Sequence, residues 1–154
     1  MTPPEITIRE LAEQPILYIE ARVPMAQIAG ALGKILPRVF GHCQQRGLPL
    51  AGPPVVLYGA MTPGQITLQG AMPLAEPAEG DGDIEAGTLP GGKAAVAVHI
   101  GPYDELPETH AALEKWLEAE GHETRGPRWE VYLTDPSTTP DPKDWRTEVV
   151  ASLS

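Results

Sequence analysis

At 154 residues, with 42% hydrophobic and 21% charged side chains, the chain has the make-up of one globular domain, which argues against a disordered or fibrous protein. The formal net charge of −10 sets long-range repulsion against a nucleic-acid partner, and no run approaches the roughly eighteen uninterrupted apolar residues of a membrane span. The lone cysteine, Cys43, excludes an intramolecular disulfide and a cysteine zinc cluster; with no signal-peptide pattern in the first nine residues, it predicts a reducing, cytoplasmic setting.

The 18 prolines and 16 glycines predict many turns and short strands. Ile6 and Ile8 alternate with polar neighbours, and a β-rich run from Ile16 to Val23 follows the Glu13-Gln14-Pro15 break, so the two are expected to form a hairpin. From Ile28, the positions Leu32, Ile35, Leu36, Val39, Phe40 and Cys43 follow helical spacing, and Gly47 supplies a stop. Pro37 lies inside that pattern and removes a backbone hydrogen bond at a cost of about 3 kcal/mol, which predicts a bend or break near Leu36, in a stretch that Gly30 and Gly33 already weaken. Residues 54–61 read as a buried strand. Thr62-Pro63-Gly64-Gln65 is a turn into the alternating Ile66, Leu68, Gly70 and Met72, giving a second hairpin.

Residues 76–83 are acidic, rich in Gly and Pro and without apolar periodicity, so they predict an exposed linker. After it the order recurs: a strand over 84–89, a Pro90-Gly91-Gly92 turn, a strand over 94–100, a helix, a strand over 128–134, an irregular loop and a strand over 145–153. The second helix carries Leu106, Leu113, Trp116 and Leu117 on one stripe, with Pro107 in its first turn and Gly121 as its stop. Gly-Pro-Pro-Val-Val-Leu-Tyr at 52–58 returns as Gly-Pro-Arg-Trp-Glu-Val-Tyr at 126–132, with the same spacing as Gly47 and Gly121. These correspondences predict a single α+β domain over 1–154, duplicated as repeat 1 (about 1–75), the linker 76–83 and repeat 2 (84–154). Two such repeats can bury two helices on one face of a mostly antiparallel sheet and leave a ligand cleft at their pseudo-twofold seam.

Glu130 and Tyr132 are two apart on a strand, so their side chains leave one face while Trp129 and Val131 leave the other. Tyr58 is the counterpart of Tyr132. A carboxylate among aromatic rings needs a donor or a cation, which suits a cationic or amine-bearing aromatic ligand. The alternative is that Glu130 lies on a solvated face and the tyrosines only pack.

Gly101-Pro102-Tyr103, the helix from Leu113 to Leu117, Gly121, Gly126-Pro127, Trp129-Glu130-Val131-Tyr132, Asp135-Pro136 and Thr147-Glu148-Val149 occur in an order that resembles the GyrI-like effector-binding domains. Arg46-Gly47 and the Ala51-Gly52-Pro53-Pro54 run before Tyr58 extend the resemblance through the first half. It implies a pair of βαββ (SHS2-like) units, with Glu130 as the acidic residue on the floor of a multidrug-type pocket. Tyr58, Tyr132 and Trp129 are implied as aromatic walls, and Tyr103, placed chiefly at the helix start, completes the ligand-binding set. Many relatives are fused to helix-turn-helix regulators, whereas here the first strand begins a few residues after Met1 and nothing follows Ser154, so a stand-alone member is expected.

His42, His99, His110 and His122 lack the paired spacing of a metal site, and Ser137, Thr138 and Thr139 lack a nucleophile elbow. No phosphate-cradling loop is present, so neither metal nor cofactor is expected. The function expected is binding of a small aromatic or cationic, drug- or toxin-like molecule in the cytoplasm. Two alternatives stand beside it: a hydrolase of cyclopropane-type electrophiles in which Glu130 activates water, and a modulator of a protein partner such as gyrase.

Overall fold

The computed structural model describes residues 4–125, 128–134 and 138–153, the side chains of Ala60 and Met61 excepted. Gly126, Pro127, Asp135, Pro136 and Ser137, which carry part of the sequence motifs, lie outside the described residues. The elements are β1 (Glu5–Leu11), β2 (Gln14–Pro24), α1 (Ile28–Gln45), β3 (Val55–Thr62), β4 (Gln65–Pro73), β5 (Glu85–Leu89), β6 (Gly92–Ile100), α2 (Leu106–Glu120), β7 (Arg128–Tyr132) and β8 (Arg146–Ser152). This is an α+β chain of antiparallel strands and two helices. It divides into two compact units, one of Met1–Ala12 with Gly92–Ser154 and the other of Glu13–Gly91.

In the Glu13–Gly91 unit the strands run in the order β3-β4-β2-β5, each pair antiparallel. Alternation on β2 sends Leu17 and Ile19 to the same core as Leu68 and Met72 of β4, and α1 lays Ile35, Val39 and Cys43 on them. Gly70 permits the close approach, because a Cβ there would meet Ile35 Cγ2 at 2.5 Å. The expected β3–β4 hairpin is present and turns at Gly64, whose φ is 80°. The linker is exposed, as its composition predicts, but it is also tethered. Arg38 binds Asp83 through two 2.8 Å hydrogen bonds and Arg46 binds Asp81 at 3.0 Å. The Arg38 guanidinium holds the Asp83 carboxyl below the usual carboxylate range.

In three places the expectations need correction. The first two strands do not form a hairpin: β1 pairs with β6, and β2 pairs with β4 and β5. Alternation reveals which face of a strand is buried but not which strand lies beside it. The connection Ala12-Glu13 also lacks the glycine or asparagine with positive φ that a two-residue hairpin demands. Second, α1 continues unbroken from Ile28 to Gln45 through Pro37. Pro37 and Gly33, four residues earlier, are both exposed, so the carbonyl that loses its partner can turn to water while Ile35 and Val39 anchor the helix. Third, Phe40 is 39% exposed rather than on the buried stripe, which is narrower than the sequence pattern and consists of Ile35, Val39 and Cys43.

The other unit has the order β1-β6-β8-β7, again antiparallel throughout. Ala95 and Ala97 on β6 and Val149 and Ala151 on β8 form a floor of small residues under Leu106, Leu113 and Leu117 of α2. The two helices end alike. Leu48 N–H reaches Cys43 O at 2.9 Å and Gly47 N–H reaches Gln44 O at 3.2 Å; His122 N–H reaches Leu117 O at 2.9 Å and Gly121 N–H reaches Glu118 O at 3.2 Å. Gly47 (φ 64°) and Gly121 (φ 71°) supply the left-handed residue that this cap requires. Among the described residues no helix is long and apolar enough to cross a membrane.

Candidate functional site

The candidate site is built within the unit that holds α2. On its sheet, Tyr132 stands opposite Thr147, and Thr147 stands opposite His99 on the next strand. One step along, Glu130 stands opposite Val149, a residue of the core beneath α2. Strand periodicity therefore places Glu130, Tyr132, Thr147 and His99 on the face that α2 covers. What would otherwise be an apolar row is polar.

Glu130 is only 3% exposed. A carboxylate withdrawn from water this far needs donors, and it has them. His110, on the first half of α2, places Nε2 2.7 Å from Oε2, and Tyr132 donates its phenolic hydrogen to Oε1 at 2.7 Å. One turn further along α2, Glu114 forms an ion pair with Arg128, which shares the strand face of Glu130. Burial lowers the proton affinity of the Arg128 guanidinium.

Aromatic rings line the end of this row. Tyr103, in the 3-10 turn that leads into α2, sits 5.4 Å from Tyr132 in an edge arrangement and 4.6 Å from Trp145 at a tilt of 34°. The Trp145 indole N–H donates to Thr139 O at 2.5 Å, and Gly101 N–H donates to Trp145 O at 2.8 Å. His99 fastens the turn from below, donating from Nε2 to Pro102 O at 2.9 Å, with Nδ1 2.6 Å from Thr109 Oγ1. The arrangement offers a buried negative group, hydrogen-bonded on both oxygens, beside three electron-rich rings. Such a constellation attracts an organic cation.

Of the residues singled out from sequence, Glu130, Tyr132 and Tyr103 come together here. Trp129 does not join them: it is 3% exposed on the opposite strand face, across from Val150. Tyr58 belongs to the other unit, where it packs half-buried against the core of Leu17 and Leu68. Sequence reasoning missed His110, Trp145 and Thr147. A signal for His110 existed, since it follows Leu106 and precedes Leu113 at helical spacing and so lies beside the buried stripe. The apolar-polar alternation into β8 likewise turns Thr147 to the side of Val149 and Ala151.

Solved structures show the same fold. The C-terminal domain of EcmrR superposes with a TM-score of 0.85 at 21% identity, over 98% of both chains. EcmrR in its DNA complex gives 0.85 at 20% identity, covering 98% of this chain, which spans only 57% of that longer one. SAV2435, solved with bound tetraphenylphosphonium, gives 0.65 at 14% identity over 97% of this chain and 94% of its own. No curated protein matches in sequence. The family model described as the GyrI-like small molecule binding domain matches residues 4–153, and the chain belongs to that family.

Proposed function

We propose that this protein binds small aromatic cations without altering them, at the cluster of Glu130, His110, Tyr132, Tyr103 and Trp145. The observation that carries this reading is the buried carboxylate with rings beside it: Glu130 is 3% exposed and hydrogen-bonded to Tyr132, whose ring meets Tyr103. A cation entering there replaces the histidine or tyrosine donor at the carboxylate and gains the faces of the rings. SAV2435, a structural neighbour of low identity, holds tetraphenylphosphonium, a ligand of this chemistry. The lone cysteine fits a cytoplasmic setting.

The same reading takes the chain as one duplicated βαββ domain. In support, the buried positions Ile35, Val39 and Cys43 of α1 have the same spacing from Thr109, Leu113 and Leu117 of α2 as Gly47 has from Gly121 and Tyr58 from Tyr132. The orders β3-β4-β2 and β7-β8-β6 agree as well. Each repeat's first strand pairs outside its repeat, β1 with β6 and β5 with β2.

Calorimetric titration with tetraphenylphosphonium and with neutral triphenylphosphine oxide tests the proposal. Glu130→Gln keeps the shape and removes the charge, so the cation should bind about ten- to a hundredfold more weakly, equivalent to roughly 1.5–3 kcal/mol, while the neutral compound changes little. Mass spectrometry should recover intact both compounds and a cyclopropane-bearing electrophile incubated with the protein. Equal losses for the two would remove the charge-reading role of Glu130, and a hydrated product of a strained electrophile would make the protein a hydrolase.

A further inference from the structure

Thr147 is fully buried in the middle of the polar row, and among the described residues its hydroxyl oxygen has no hydrogen-bond partner. Its neighbours are all provided for. His99 on one side bonds Thr109 and Pro102, and Tyr132 on the other bonds Glu130. A buried hydroxyl with nothing to bond is destabilising, whereas a valine would fill the same volume without that cost. Among the described residues nothing supplies a partner, which leaves the hydroxyl open to one from a bound ligand or an ordered water. Thr147 lies directly across from Tyr132 and diagonally from Glu130 on one face, a diagonal of about 7–8 Å with the Cβ atoms somewhat closer. That interval suits a benzene ring with a charged substituent at one end and a polar substituent at the other.

We infer that Thr147 is a specificity-determining residue, which selects among aromatic cations those that carry a hydroxyl group on the ring. The cation lies against Glu130, and the ligand hydroxyl exchanges hydrogen bonds with Thr147 Oγ1. This rests on the cation-binding role proposed above and narrows its substrate class. Hydrocarbon-only cations enter the same site but leave Thr147 unmatched, and this difference is the source of discrimination.

Phenyltrimethylammonium and 3-hydroxyphenyltrimethylammonium differ by the one hydroxyl and serve as the probes, titrated by calorimetry into the wild-type protein, Thr147→Val, Thr147→Ser and Glu130→Gln. The wild type should bind the hydroxylated cation about tenfold more tightly. Thr147→Ser should keep that preference, and Thr147→Val should bind the two alike. Equal affinities in the wild type, as expected if a buried water already serves the hydroxyl, would overturn the inference. A preference that survives in Thr147→Val would do so too. In both cases binding of the plain cation that depends on Glu130 leaves the receptor reading standing. If neither compound binds the wild type, both readings fall.

Discussion

The two units build one arrangement of strands and helix from opposite side-chain chemistry. In the unit of α1, the row across the sheet is Tyr58, Leu68 and Ala21, with Val56 one step along and Ile35 and Leu36 overhead, and all of it serves the core. In the unit of α2 the corresponding row is Tyr132, Thr147 and His99, with Glu130 one step along and Thr109 and His110 overhead. Only the tyrosine is shared. Exchanging aliphatic side chains for a carboxylate, two imidazoles and two hydroxyls gives up hydrophobic stabilisation and demands a closed set of hydrogen bonds. A fold that needs no such row in one unit does not need it in the other for stability, which is why the polar row reads as a site.

The sharpest way to break the contrast is to give the second row the chemistry of the first. Glu130→Val with His110→Leu places the residues found at Val56 and Leu36 in the polar row. Because a hydrogen-bonded polar pair at such a position contributes little net stability compared with well-packed aliphatic groups, the double variant should be as stable as the wild type in denaturant unfolding, or more stable by up to about 1–4 kcal/mol. It should also lose tetraphenylphosphonium binding. A marked destabilisation would show that the polar row supports the fold.

A smaller effect sharpens the likeness of the units. Gly47→Ala and Gly121→Ala each force an alanine into a left-handed helix cap, so each should cost about 1 kcal/mol in chemical denaturation, and by similar amounts. Very unequal losses would show that the two caps carry different loads. The smallest effect belongs to the Arg38–Asp83 tether, which lies in the unit of α1. The folded-state carboxyl of Asp83 is depressed below its unfolded value, so the tether's contribution is present above the unfolded pKa of about 3.9 and disappears as pH falls through the lower folded value. Hydrogen exchange in residues 76–83 should then rise below pH 4 in the wild type, and should be already raised at pH 7 in Arg38→Gln. The exposed pair should leave global stability unchanged.

Much of this architecture was legible because it rests on local rules. Helical spacing located α1 and α2, glycines located both stops, and strand alternation put Glu130 and Tyr132 on one face. The partner of β1 was not legible, since a strand's pattern encodes the face it buries and not its neighbour. Nor was the continuity of α1, because tertiary packing of Ile35 and Val39 outweighs the local penalty of Pro37. Within the candidate site, strand alternation pairs Glu130 with Tyr132 and the family resemblance supplied Tyr103, but the contacts of His110 and Trp145 are created by helix docking and the turn at Gly101. Trp129, which the family resemblance implied as an aromatic wall, lies on the strand face opposite Glu130, as its alternation with Glu130 requires.

Whether an aromatic cation seats at the carboxylate of Glu130 is decided by a crystal structure of the protein soaked with tetraphenylphosphonium. The cation should lie beside Glu130, with at least one of the rings of Tyr103, Tyr132 and Trp145 within about 6 Å, and the hydrogen bond from His110 or Tyr132 should be broken. A cation bound elsewhere, with both of those hydrogen bonds intact, would contradict it.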